Sequence, residues 1–109
     1  LAALIISGKD RAETETHARA IVRAAHTLPP HDRWKLTPSG HMPAEDDVTI
    51  LGPAEAPVFL VRARYRYRLL VKAPRSADLQ GFLRAMLAAA PKLRGNLRVQ
   101  VDVDPMSFF

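Results

Sequence analysis

Val61 to Ala73, VRARYRYRLLVKA, alternates in chemistry. Arg62, Arg64, Arg66, Arg68 and Lys72 take the even positions; Val61, Ala63, Tyr65, Tyr67, Leu69 and Val71 take the odd ones, and Leu70 breaks the pattern. A period of two marks a strand with two unlike faces, one for a core and one carrying a row of cations. At ~3.3 Å per residue these cations stand about 7 Å apart, close to the phosphate spacing along an extended single strand. Like charges this close repel and destabilise the strand unless an anionic partner faces them. The chain has 16 Lys+Arg against 11 Asp+Glu, so its formal charge of +5 equals the charge on this one face. Two readings follow. The face is solvated or paired with acids of neighbouring strands, or it binds phosphate or carboxylate, for which the planar arginine fork is suited.

Outward from this strand, the chain divides into short elements. Ala2 to Ser7 is a nearly continuous apolar run, read as a buried strand that ends at Gly8. Asp10 is placed to cap a helix, with Glu13 three residues on, and the helix runs to about Thr27. Its apolar stripe is Ala18, Ile21, Val22, Ala25 and Leu28, and Pro29-Pro30 stops it. Residues 29–46 hold Pro29, Pro30, Pro38, Gly40 and Pro43 and read as an irregular loop; its Trp34 either pins the loop to the body or stacks on a base. Val48 to Leu51 reads as a short strand, and LGPAEAP as an extended connection into the basic strand. After Pro74, Ser76 is the expected cap of a second helix, whose buried stripe is Leu79, Phe82, Leu83, Met86 and Leu87. Leu97 to Asp104 is the last strand, with Leu97, Val99, Val101 and Val103 facing in and Arg98, Gln100, Asp102 and Asp104 facing out; Pro105 closes it.

Strand, helix, strand, strand, helix, strand predicts a ferredoxin-like α+β sandwich: two split β-α-β units, with both helices on one face of a four-stranded antiparallel sheet. The usual strand order of 4-1-3-2 places the basic strand inside the sheet, tyrosines toward the helices and arginines toward the open side. Nucleic-acid modules of this architecture project aromatic side chains from the open face, whereas here the aromatics have the other parity, which argues for backbone contact. At 109 residues the chain is one domain. It has no cysteine, hence no disulfide framework and no Cys-based zinc site. No apolar run is long enough to span a membrane. The opening at Leu1 suggests a piece of a longer chain.

Three segments together resemble a known family. The opening LAALIISG, VTILGPAEAPVFLVRARYRYRLLVKAPRSADLQ and the terminal VQVDVDPMSFF resemble, in this order, the C-terminal domain of PriA, the bacterial primosomal protein N′. The match covers nearly the whole chain except the 29–46 loop. The resemblance implies a parent that is an ATP-dependent replication-restart helicase of the bacterial cytoplasm, with ATP and zinc bound in its other domains. No GKT or GKS, DExH box or cysteine occurs here, so this chain is expected to be no enzyme and to hold no cofactor. The resemblance also implies two kinds of partner. Forked or single-stranded DNA would meet Arg62, Arg64, Arg66, Arg68 and Lys72. The acidic tail of single-stranded-DNA-binding protein would meet Arg75, Gln80 and Arg84, as protein-docking residues; alternatively the strand arginines would pack against acidic partners on the parent's helicase lobes. Gln80 matches the family's glutamine directly; Ser76 stands in the slot of the family's arginine, with Arg75 one place earlier. An acylphosphatase-type enzyme shares the architecture, but its loop pattern is absent. Asp102 and Asp104, alternate on a strand, read as a solvated or arginine-paired face rather than a metal pair.

Overall fold

The structure is a computed structural model and describes residues 1–103, with residues 57–61 described by their backbone alone. The elements run β1 (Ala2–Gly8), α1 (Arg11–His26), β2 (Thr49–Val61), β3 (Arg64–Lys72), α2 (Leu79–Ala89) and β4 (Arg98–Val103). They form a four-stranded antiparallel sheet of order β2-β3-β1-β4, the expected 4-1-3-2 arrangement. The fold is thus α+β and ferredoxin-like.

Alternation decides what is buried. Ala2, Leu4 and Ile6 of β1 and Tyr67, Leu69 and Val71 of β3 join Ala18, Ile21 and Ala25 of α1 and Phe82, Leu83 and Met86 of α2 in one core. The Asp10 carboxylate accepts from the Glu13 N–H at 2.8 Å and caps α1 as expected. The cap of α2 is Asp78 rather than Ser76: its carboxylate accepts from the Gly81 N–H at 3.0 Å, while Arg75 and Ser76 form a turn closed by Ala77 N–H to Pro74 C=O. The Asp78 N–H also donates to the Arg33 carbonyl, which ties the start of the helix to the long loop.

β2 is far longer than the expected Val48–Leu51 strand. Gly52, Pro53 and Pro57 lie inside it, and the ladder shifts register between Leu51 and Ala54 and again between Glu55 and Leu60. β2 is an edge strand, where a proline can be carried at a bulge without cost to a central ladder. Gly52 has φ +106°, and a side chain there would stand 2.7 Å from the Arg68 carbonyl. The basic strand is correspondingly shorter. Val61 pairs with Arg64 across a two-residue hairpin turn in which Arg62 (φ 51°) and Ala63 (φ 62°) are both left-handed. Such turns match the twist of the strands but favour Asn or Gly over branched chemistry. Ala63→Gly is therefore expected to raise stability by about 1 kcal/mol, read as a higher urea midpoint at unchanged m-value; a lower midpoint would mean Ala63 carries no strain.

Residues 29–46 are anchored at several points. Leu36 and Val48 form a parallel bridge, Thr37 N–H donates to Val48 C=O at 2.9 Å, and buried Asp47 accepts from the Ala44 N–H. Trp34 stacks on His31 (3.6 Å between centroids, 4°) and meets Phe82 edge-on (5.8 Å, 76°). It pins the loop to the body. The far part of β4 is left open: Val99 packs against the core, but Val101 and Val103, expected inside, are 40% and 38% exposed. Asp104, Pro105 and the terminal Phe108 and Phe109 lie outside the described residues.

His17 is buried on α1, and burial holds its pKa below the ordinary value of 6.5. The unfolded chain then binds more protons than the native one below about pH 6.5, so this contribution is present above 6.5 and lost as pH falls toward the lower native value. Denaturation across pH 5 to 7 is expected to show that slope in the wild type and a flatter one in His17→Gln; equal slopes would contradict it.

Candidate nucleic-acid interface

β3 occupies an inner position, between β2 and β1, so its even positions point to the face opposite the helices. Cross-strand register then fixes the neighbours of each arginine. Arg66 pairs with Ser7 of β1, and Ser7 pairs on its other side with Arg98 of β4. Arg66 and Arg98 therefore flank one serine, with backbones about 10 Å apart. Arg68 lies between Ile5 of β1 and Ala54 of β2.

Arg64 is held differently. Its Nη2 donates to the Ser7 carbonyl at 3.0 Å, to the Ser7 hydroxyl at 3.2 Å and to the Asn96 carbonyl. Those bonds brace β3 to β1 and to the connection before β4, and fix the guanidinium in place. Arg62 stands on the hairpin turn instead of in the strand row. Arg62, Arg64, Arg66 and Arg98 line one cleft of about 730 Å³, with Ile5, Leu93 and Leu97 supplying apolar wall and Gln100 a polar edge. No acidic side chain lines this cleft among the described residues.

Lys72 is not part of the cluster. It pairs with Thr49 at the far end of β3, separated from Arg68 by Leu70 and about 13 Å along the strand. Around Leu70 the open face is apolar: Leu51, its partner on β2, is 46% exposed, and Ala3 and Ile5 adjoin on β1. The sheet face thus splits into a basic half at the hairpin end and an apolar half at the other. Asp102 belongs to the apolar half, opposite Ala3. Glu55 pairs with Tyr67 and so has helix-side parity; it meets Arg11 at 3.1 Å. The Arg11 pKa is raised, first by its interaction with Tyr67 and then by nearby carboxylates, Glu55 before Glu15.

Arg75, Gln80 and Arg84 are all exposed. Gln80 and Arg84 lie one turn apart on α2, and Arg75 in the turn before it. α2 covers the face of the sheet opposite the arginine cleft, so the two groups of candidate residues are spatially separate. By sequence Arg98 is only an outward residue; what joins it to Arg66 is the β3-β1-β4 order, which brings together residues 32 positions apart. Among the described residues no group of three or more His, Asp or Glu is placed to hold a metal ion, and no helix is long and apolar enough to cross a membrane.

The family described as Primosomal protein N C-terminal domain matches residues 1–106. The replication restart protein PriA of Rickettsia felis is 30% identical over 108 residues, covering 99% of this chain and 14% of that protein. The Rickettsia conorii protein of the same name gives the same figures. That of Rickettsia typhi is 35% identical over 63 residues, covering 58% of this chain and 10% of its own length. The chain therefore spans about one seventh of the first of these relatives.

Proposed function

The chain belongs to the primosomal protein N C-terminal domain family, and from that premise we propose that it is an accessory DNA-binding domain of a replication-restart helicase in the bacterial cytoplasm. It holds forked or single-stranded DNA by the phosphate backbone, on the basic half of the open sheet face. The observation that supports this most is the convergence of Arg62, Arg64, Arg66 and Arg98 on one cleft, with Arg68 beside it. Backbone contact of this kind positions DNA without reading its sequence. ATP hydrolysis, and any zinc, belong to other parts of the parent.

The electrostatic signature is specific. With about four phosphates neutralised, the affinity for single strands falls with salt at a log–log slope of about −3. Fluorescence anisotropy over a salt series on single-stranded and forked DNA tests this, and an absence of binding at low salt would overturn it.

A second reading is protein docking. Arg75, Gln80 and Arg84 offer exposed donors around the start of α2 for the acidic tail of single-stranded-DNA-binding protein, and the apolar half of the open face, with Leu51 and Leu70, offers a surface for the parent's helicase lobes. An acidic peptide ending in an apolar residue is expected to bind, and to be lost on Arg75→Ala with Gln80→Ala; retained binding would remove these residues from that role.

A further inference from the structure

We infer that the cleft at the hairpin end receives one unpaired nucleotide, its phosphate on the arginines and its base against the apolar wall. This deepens the DNA-binding reading and rests on it.

The cleft contains more than phosphate binding needs. Cations standing on a flat sheet face suffice for a backbone track. Here Arg66 and Arg98 rise on either side of Ser7, Arg62 stands at the turn, and Leu93 and Leu97, from the connection after α2, close the far side. Leu93 is 50% exposed, an apolar side chain turned to solvent beside four guanidinium groups. At about 730 Å³ the space falls within the range of small-ligand sites.

A nucleotide combines the two properties this cleft combines, a doubly hydrogen-bonding anion and a flat apolar face. Arg64 is held by carbonyls of Ser7 and Asn96, so its guanidinium plane is fixed before any ligand arrives. Fixed arginine planes stack on unpaired bases. Gln100 and Ser7 supply an amide and a hydroxyl able to pair with a base edge. A duplex keeps its bases stacked inside and would leave the apolar wall uncovered. The cleft therefore selects unpaired DNA, and Arg98, from β4, becomes a binding residue alongside those of β3.

The 109-residue chain is titrated at one salt concentration with three probes: a thymidine oligonucleotide, an abasic oligonucleotide of the same length and charge, and a duplex. The thymidine strand is expected to bind about tenfold or more tighter than the abasic one. Leu93→Ser brings those two affinities together, and Arg98→Ala lowers the salt slope by about 0.7. Equal affinities for the thymidine and abasic strands would overturn the nucleotide slot while leaving backbone binding intact. A preference for duplex would overturn it too. No binding of any probe at low salt would remove both readings.

Discussion

Phe82→Ala lowers the unfolding free energy by about 3–5 kcal/mol, the cost of emptying a fully buried aromatic site. Phe82 has no exposed surface, lies in the α2 stripe against the sheet core, and takes the edge contact from Trp34. Its removal therefore loosens two things at once, the helix–sheet interface and the anchor of residues 29–46. Single domains have about 5–15 kcal/mol in total, so the variant stands close to unfolding, with a melting temperature lower by about 15 °C or more. Trp34 is the only tryptophan, so its fluorescence reports both the global transition and the local loosening. Met42→Ala, at a side chain 90% exposed, is expected to change stability by less than about 0.5 kcal/mol. A Phe82 effect below about 1 kcal/mol would contradict the core described above.

The second large effect concerns binding. Replacing Arg66 and Arg68 together by alanine is expected to halve the single-strand salt slope, from about −2.8 to about −1.4, since each lost phosphate contact removes about 0.7. The choice of pair follows from the structure. Arg64 looks equivalent to its neighbours by parity, but its bonds to Ser7 and Asn96 hold β1, β3 and the start of β4 together. Removing it would mix a folding defect with a binding defect. Arg66 and Arg68 stand in mid-strand on the open face. A double variant with an unchanged slope would place the phosphates elsewhere.

Much of this arrangement is written in side-chain alternation. The parity of β3 alone separates Tyr67, Leu69 and Val71, which are buried, from Arg64, Arg66 and Arg68, which are not. The helical stripes, the Asp10 cap and the strand order are equally local or follow from the element order. The hairpin is not legible in the sequence because Arg62-Ala63 lacks the Asn-Gly or Gly signal of a two-residue turn. Gly52, Pro53 and Pro57 read as an extended connection because sequence does not reveal that their strand lies at an edge, where bulges absorb them. Asp78 won over Ser76 as cap because the preceding turn and the Arg33 carbonyl fix where α2 begins. The bracing role of Arg64 depends on backbone carbonyls, and that of Arg98 on register across three strands, so neither is visible in residue identities alone.

The most direct test of the central claim, that DNA lies on the open face of the sheet, is a backbone amide chemical-shift titration of the chain with a short thymidine oligonucleotide. The predicted result is a set of shifts centred on Arg64–Arg68 of β3, Ser7 of β1 and Arg98–Gln100 of β4, with the exposed side of α1 around Arg19 and Arg23 unmoved. Shifts centred on Gln80 and Arg84 of α2, with the sheet face silent, would contradict it.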